Sequence, residues 1–537
     1  MTTSLKLDSN EGPLPPAALL EALGRLDPDV LRRYPDVSVL EATLATRVGV
    51  ASDRVIVTAG ADDAIDRVCR AYLGAGRTML LSEPTFEMFD HFAKLAGAAA
   101  LVRVPWRCGE FPLAAFHDRL GERPAVIAVV SPNNPTGAAA NAADVRQLAE
   151  AAPTALVLLD HVYVEYADED LTLALSDLPN VVVLRTLSKA WGLAGCRIGY
   201  AIGNREVIAK LRAAGAPYPV AAPSVALALR QLSGGDALLR AHVACVREER
   251  TTLRARLAAF GVDAPPSQAN FILADCGVRA PFLKAALAAL GVIVRDFPNR
   301  SGLTTALRIT LPGEALAFER LVAALETALA PEALLFDMDG VLADVEHSQR
   351  AAMAATAQSF GVAVTPAQVA AAIRMGDAAN DWLVTRRLIE AGGCSASLDD
   401  VTERYQSLYL GLREREHLIP PKALLERLAA RLPLAIVTGR PRAEARWFLE
   451  RAGISHLFRT VVVMEDAPPK PNPAPVRLAL ERLGVRRAWM VGDTPDDMHA
   501  AAQAGVLPLA IAAPGDEAPA GGARVFGNLT DLLELLP

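Results

Sequence analysis

Between Arg54 and Gly203 the apolar residues gather into short β-branched or leucine-rich runs, and the intervening stretches repeat apolar positions at helical spacing. The runs predict strands at Val55–Thr58, Met79–Leu81, Leu101–Val104, Val126–Val130, Leu156–Leu159, Val181–Leu184 and Ile198–Ile202. Strands that are apolar throughout, with helices between them, belong to a largely parallel sheet covered on both faces. Upstream, helices are expected near Ala17–Leu26 and from Val39, separated at Arg33-Tyr34-Pro35-Asp36, because a residue before proline resists the helical region. Downstream, helices rich in Ala, Leu and Arg alternate with short strands near Phe271–Ala274 and Leu307–Thr310.

At Pro331 the pattern restarts with almost no linker. Ala333-Leu334-Leu335-Phe336 runs into Asp337-Met338-Asp339-Gly340, Ala435-Ile436-Val437 into Thr438-Gly439-Arg440, and Met490-Val491 into Gly492-Asp493-Thr494-Pro495-Asp496-Asp497. These are strands of a second parallel sheet, and helical periodicity fills the stretch from Asp344 to Pro420. The chain of 537 residues exceeds what one core can serve.

Charge and composition narrow the partners. A net charge of −7 with interspersed signs gives no basic footprint for nucleic acid. No apolar run is long enough to span a bilayer, and the opening MTTSLKLDSNEGPLPP has no basic stretch followed by an apolar core, so it reads as neither signal nor anchor. The six cysteines lie far apart without a CxxC pair, against a structural zinc site or a disulfide framework. Small-molecule partners and a cytoplasmic location are the expectation.

The chemistry lies at strand ends, where parallel sheets bind ligands. After Val181–Leu184 come Thr186, Ser188 and Lys189, then a Gly-rich loop and Arg197. Such a lysine can condense with a carbonyl while two hydroxyls and a guanidinium hold a phosphate, the arrangement that pyridoxal phosphate requires. Gly60-Ala61-Asp62-Asp63 opens a helix whose free amides suit a phosphate. Phe86 can stack on a planar ring, and Asn134, in Ser131-Pro132-Asn133-Asn134-Pro135-Thr136-Gly137, can bond a phenolic oxygen. Asp160 leaves an apolar strand and needs a cation, which a protonated pyridine supplies; Tyr163 follows it, and His161 reads as a packing residue.

In this order the pieces resemble the fold-type I aminotransferases, and more narrowly the histidinol-phosphate branch, over about residues 5–330. The resemblance implies that Lys189 bonds the cofactor and moves a proton. It implies that Asp160 pairs with the ring nitrogen, Asn134 and Tyr163 with its hydroxyl, and Phe86 with its face. Ala61, Asp62, Thr186, Ser188 and Arg197 surround the phosphate, with Tyr34 reaching over from the second subunit of a homodimer. Asn10, in the polar opening Asn10-Glu11-Gly12, joins the substrate side. Arg295 and Arg308, thirteen residues apart as in that branch, would grip the glutamate carboxylate and the substrate phosphate. Phe86 replaces a more usual tyrosine, and Gly12 stands where an aromatic element is common. Phosphothreonine decarboxylase shares much of the pattern.

The second half resembles the haloacid dehalogenase superfamily over about residues 332–537. By that likeness Asp337 attacks phosphorus and Asp339 serves as acid and base, while Thr438 and Lys470 neutralise the phosphoryl group. Asp337, the Asp339 carbonyl and Asp493 hold Mg²⁺, with Asp497 behind them. A cap over about residues 344–420 would select the substrate, its acidic residues Glu346, Asp377 and Asp381 being able to meet an amine. Within the cap, Arg374 beside Met375-Gly376 is a candidate substrate contact, a solvated helix face being the more ordinary reading.

The expected architecture is therefore α/β throughout. A fold-type I aminotransferase occupies 1–330, its large domain about 35–240 and its small domain about 241–330 plus the N-terminal arm. A Rossmann-like phosphatase with a helical cap occupies 332–537. The expected activities are glutamate-dependent transamination giving histidinol phosphate and Mg²⁺-dependent hydrolysis of a phosphate monoester, with that same product as the candidate ester. The alternatives are a phosphothreonine decarboxylase-like enzyme or another aminotransferase joined to a phosphatase of unrelated esters such as phosphoglycolate, or a second half that only binds.

Overall fold

The computed structural model describes residues 4–376, 380–512 and 517–536. These form two compact units, one comprising Lys6–Gly277 with Val294–Glu319, the other gathering Val278–Ile293 and everything from Arg320 onward with the N-terminal residues to Leu5.

The first unit is built on a seven-stranded sheet in the order Val55–Thr58, Gly199–Gly203, Val181–Thr186, Leu156–Asp160, Val126–Val130, Thr78–Glu83, Ala100–Pro105. Every expected strand is present. Gly199–Gly203 runs antiparallel to both of its neighbours, and the other pairings are parallel. Alternation along the central strands feeds two cores. Ile127, Val129, Val157 and Val183 pack on one face, and Val126, Ala128, Leu158 and Val182 on the other. Uniform apolarity is thus the mark of two buried faces. A smaller antiparallel sheet pairs Val292–Asp296, Ala306–Thr310 and Phe271–Asp275, placing Arg295 directly opposite Arg308. Leu5–Leu7 is its edge. Neither Leu5–Leu7 nor Val292–Asp296 stands out in the sequence, the first being three residues long and the second ending in Arg295-Asp296.

In the second unit a six-stranded parallel sheet has the order Phe458–Val462, Leu434–Val437, Ala333–Phe336, Ala488–Gly492, Leu507–Ile511, Val525–Phe526. Ala333–Phe336 lies between two neighbours, so Asp337 emerges at the centre of the carboxyl edge. Four helices, Gln349–Ser359, Pro366–Arg374, Asp381–Ala391 and Leu398–Leu412, share the buried side chains of Met353, Val369, Val384, Leu388, Tyr405 and Tyr409. They are the helical insertion read from the periodicity. Its two crossings pair as a small ribbon, Ala343–Asp344 against His417–Leu418.

The sheet's other side meets residues that precede Pro331. Trp489 is fully buried, its Nε1 donates to the Thr327 carbonyl at 2.8 Å, and its ring lies 5.4 Å from that of Phe282. Arg487 adds contacts to Glu326, Glu332 and the Ala330 carbonyl. Among the described residues no helix is long and apolar enough to cross a membrane.

Candidate active sites

The carboxyl ends of the large sheet open on a cavity of about 320 Å³. Asn10, Ala61, Asp62, Phe86, Asn134, Asp160, Tyr163, Thr186, Ser188, Lys189, Arg197, Arg295 and Arg308 all line it, residues separated by nearly three hundred positions in the chain. Tyr34 does not. It is 79% exposed and stacks on Tyr218, ring centroids 4.5 Å apart.

Lys189 follows the strand Val181–Thr186, and its Nζ reaches the Ser9 carbonyl at 3.3 Å and lies 5.6 Å from the centre of the Tyr163 ring. The N-terminal segment is close enough to make this contact because residue 12 is glycine: a Cβ there would fall 1.6 Å from the Lys189 carbonyl oxygen. Close backbone approach is the reason that an aromatic side chain is missing at that position. The Asn10 side chain donates to the Tyr163 hydroxyl at 2.9 Å and accepts from Thr310 Oγ1 at 2.9 Å, which fixes the phenol over the cavity.

At the phosphate end, Thr186 Oγ1 lies 3.0 Å from Ser188 Oγ and accepts from the Ser188 amide at 3.1 Å. Arg197 Nη2 pairs with Asp62 at 3.3 Å. A carboxylate cannot itself bind an anion, so Asp62 acts by holding the guanidinium, while its helix Gly60–Tyr72 turns its first amides to the cavity wall. Asp160 is buried, with the Val162 amide on Oδ1 at 3.3 Å, and burial pushes its carboxyl up to about 7. A buried acid of this kind gains most from a cation placed against it. Pyridoxal phosphate meets each demand: an anion for the Arg197 end, a protonated ring nitrogen for Asp160, a hydroxyl for Asn134 and Tyr163.

The substrate end is rich in arginine. Arg308 Nη1 donates to Asn134 Oδ1 at 2.7 Å and Nη2 to the Asp8 carbonyl at 2.6 Å, while its Nε is buried without a partner among the described residues. Arg295 pairs loosely with Glu87 at 3.7 Å. Arg300, absent from the sequence reading, also lines the cavity and is held by the Thr85 carbonyl at 2.7 Å and Glu83 at 3.4 Å. Its loop, Phe297 to Arg300, carries no motif that would have singled it out.

His161 bridges Ser131 and Leu171: its Nδ1 lies against the Ser131 carbonyl and its Nε2 accepts the Leu171 amide at 3.2 Å. Burial drives it down to about 4, so it is a neutral packing residue, in keeping with its sequence reading.

In the second unit a cavity of about 60 Å³ is lined by Asp337, Asp339, Lys470 and Asp493 on the sheet side and by Ile373, Asp381, Trp382, Tyr405 and Gln406 from the cap. Lys470 Nζ lies 2.8 Å from Asp337 Oδ1 and 2.5 Å from Asp497 Oδ1. Asp497 is fully used: its Oδ2 accepts from Thr494 Oγ1 at 2.6 Å, closing a capping box on the helix Pro495–Gln503. It therefore holds Lys470 and the loop, and lies behind the oxygens of Asp337 and Asp493. The ligand oxygens of Asp337, Asp493 and Asp497 are within 4.8 Å of one another, and Asp493 Oδ1 is buried without a hydrogen-bond partner among the described residues. Burial, then the neighbouring carboxylates, push Asp337 up to about 7 and Asp493 upward as well. A hard divalent cation with oxygen ligands relieves that repulsion, so Mg²⁺ fits.

Thr438 follows the strand Leu434–Val437, is buried, and its Oγ1 accepts the Arg440 amide at 3.1 Å; it is not itself part of the lining. Asp381 is held by the Tyr405 hydroxyl at 2.5 Å and pushed up to about 7 by burial. Glu444, not anticipated, also faces this cavity, with Gln406 Nε2 on its Oε1 at 2.9 Å. Glu346, in the turn before the helix Gln349–Ser359, pairs with Arg350 at 3.5 Å and is not part of the lining. Asp377 lies outside the described residues. Arg374 is not part of the lining either.

Comparison with known proteins agrees with both halves. Residues 2–325 match the family of class I and II aminotransferases, and residues 334–511 match the haloacid dehalogenase-like hydrolases. The chain belongs to the class I and II aminotransferase family. It is a fusion of a histidinol-phosphate aminotransferase-like pyridoxal-phosphate enzyme with a haloacid dehalogenase-like hydrolase domain. It is 32% identical over 342 residues to a histidinol-phosphate aminotransferase of Geobacillus sp. (strain WCH70), spanning 62% of this chain and 93% of that one. An aromatic amino acid aminotransferase of Corynebacterium jeikeium (strain K411) shares 35% over 318 residues, 56% of this chain and 85% of the relative. An imidazoleglycerol-phosphate dehydratase of Phytophthora nicotianae shares 45% over 197 residues, 34% of this chain but only 44% of that protein. Among solved structures, the histidinol-phosphate aminotransferase of Sinorhizobium meliloti in complex with pyridoxal 5'-phosphate superposes with a TM-score of 0.56 at 27% identity, covering 60% of this chain and 90% of that one.

Proposed function

We propose that the first half transfers an amino group from glutamate to give histidinol phosphate and that the second half hydrolyses the phosphate ester of that product with Mg²⁺. One observation carries the reading: the two cavities have opposite charge, each suited to one end of a phosphorylated amine. Arg295, Arg300 and Arg308 face the first. Asp381 of the cap and Glu444, which accepts from the cap residue Gln406, face the second, where the alcohol part of an ester would sit. Arginine forks bind carboxylate and phosphate, and a carboxylate pair favours a protonated amine. The likeness of part of the chain to an imidazoleglycerol-phosphate dehydratase also supports a place in histidine synthesis.

Bound pyridoxal phosphate would supply the carbonyl and the electron-accepting ring. Lys189 Nζ would carry the proton on and off the substrate carbon, Asp160 would keep the ring nitrogen protonated, and Arg308 would orient the carboxylate. In the phosphatase, the Asp337 carboxylate would attack phosphorus, Lys470 and Thr438 would face the phosphoryl oxygens, and Asp337, Asp493 and the Asp339 carbonyl would hold Mg²⁺. The exposed Tyr34, with Leu14, Leu20 and Leu31 also exposed nearby in sequence, supports a homodimer in which this segment is covered.

The test is kcat/KM for phosphate release from histidinol phosphate, phosphothreonine, phosphoglycolate and a sugar phosphate, beside amino transfer from glutamate. Preference for histidinol phosphate in both halves supports the proposal; phosphoglycolate or a sugar phosphate as the best ester defeats it. A second reading, transamination of aromatic amino acids, is favoured by Phe86 and Phe297 in the first cavity and by the Corynebacterium relative. Phenylalanine outrunning histidinol phosphate in the same assay would establish it.

A further inference from the structure

Arg440 occupies a position that the reaction as described does not use. It is 2% exposed, and its Nε donates to Asp339 Oδ1 at 2.7 Å, with Nη2 2.5 Å from the same oxygen. On its other side Nη1 donates to Glu416 Oε2 at 2.9 Å and lies 3.4 Å from the Tyr409 hydroxyl. Glu416 is itself buried and accepts from Ser348 Oγ and the Tyr409 hydroxyl, both at 3.0 Å. Glu416 immediately precedes the strand His417–Leu418, and Ser348 follows Ala343–Asp344, so this one carboxylate joins both crossings into the cap. A buried guanidinium needs its charge balanced. Here Nε is engaged by one residue of the reaction centre and Nη1 by one residue of the cap's base, while Nη2, although close to Asp339 Oδ1, has no aligned hydrogen bond among the described residues.

We propose that Arg440 is a positioning residue that fixes the Asp339 carboxyl for proton transfer, and that Glu416 makes this placement depend on the seating of the two cap crossings. The inference rests on Asp339 being the acid and base of the phosphatase. In the first step Asp337 bonds to phosphorus, the ester P–O bond breaks, and the Asp339 proton goes to the departing oxygen. In the second, Asp339 takes a proton from water as that water attacks phosphorus and Asp337 is released. With Oδ1 engaged by Arg440, the second oxygen of Asp339 is left to exchange the proton. Losing that alignment costs most where the departing oxygen is basic and needs the proton, and little where it leaves as a stable anion.

The test uses the full chain with Mg²⁺ and measures the first turnover by rapid mixing, with a primary alkyl phosphate and with p-nitrophenyl phosphate. Arg440→Lys keeps the charge but cannot span both carboxylates, and Glu416→Gln keeps the shape and frees the guanidinium on one side. In both variants the first turnover of the alkyl ester is expected to fall by about a hundredfold, while the nitrophenolate burst stays within about tenfold of the parent. Asp339→Asn is the reference and should show the same selectivity. If Asp339→Asn is selective and Arg440→Lys slows both esters alike, Arg440 is merely structural and the proposal falls. If Glu416→Gln leaves the alkyl ester untouched, the link to the cap crossings falls. If Asp339→Asn itself slows both esters alike, the acid and base assignment fails, and this inference with it.

Discussion

Arg308 Nη1 donates to Asn134 Oδ1 across 2.7 Å, so the residue proposed to hold the substrate acid also orients the amide proposed to meet the cofactor's hydroxyl. With Oδ1 turned to Arg308, the Asn134 NH₂ is directed away from it, and a donor is what a phenolate oxygen needs. Arg308→Lys keeps the charge but loses the fork. It is expected to raise KM for the acidic substrate by about tenfold to a hundredfold, the worth of a charge-assisted bond of about 1.5–3 kcal/mol, with a smaller change in kcat. Steady-state kinetics at varied glutamate check this, and an unchanged KM removes Arg308 from the substrate site.

Lys189→Ala is expected to abolish the visible absorption band of the purified protein and its borohydride-reducible link, leaving phosphate release intact. A spectrum unaltered by the substitution would place the cofactor elsewhere.

Asp337→Asn preserves size and removes the attacking charge. Phosphate release should fall by about a thousandfold or more, while the yellow colour persists. An assay with Mg²⁺ present and then chelated checks the metal as well: chelation should silence the parent enzyme and leave transamination unaffected.

Asp381→Asn tests amine recognition in the cap. The expected result is a rise of about tenfold in KM for histidinol phosphate with no comparable change for phosphoglycolate, which carries no cation to lose. Equal effects on both esters would mean that Asp381 serves packing through Tyr405.

The histidine at position 161 predicts an acid sensitivity. Its folded value of about 4 lies below the ordinary value of 6.5, so the unfolded chain takes up the proton first. Stability should therefore be full above about pH 6.5 and fall as pH drops towards 4, by up to about 3 kcal/mol, then level off for this group. Melting midpoints between pH 7 and pH 4, parent against His161→Asn, measure it. The variant should be the flatter of the two, and parallel curves would refute the assignment.

Much of this was legible in the chain because parallel sheets write their chemistry at strand ends. Lys189, Asp160, Asn134 and Asp337 each follow an apolar run that announces a strand, and all of them line the cavities. What escaped notice follows other rules. Arg300 and Glu444 reach their sites from a loop and from a helix face, where neither spacing nor neighbours distinguish them from solvated charges. Leu507–Ile511 contains Pro508, which argues against a central strand, although it pairs with strands on both sides. Arg440 stood within a recognised motif, yet its pairing with Glu416 depends on tertiary closure of the cap base. The resemblance places Asp62 at the phosphate, and only the geometry shows its carboxylate turned to Arg197.

The hydrogen bond from Trp489 to the Thr327 carbonyl bears on how such a chain can be inherited. Family likeness places the natural seam near residue 331, but the sheet that begins there already has Phe282 and Thr327 against its tryptophan. A recombination event cutting at the seam would deliver a phosphatase lacking part of its packing, with a large indole face and an orphaned N–H newly exposed. The pieces that could travel between genomes intact are therefore longer than the likeness indicates, and descendants of this fusion would be expected to keep or lose the helices Ala280–Ala289 and Ala315–Leu329 together with the sheet that follows Pro331.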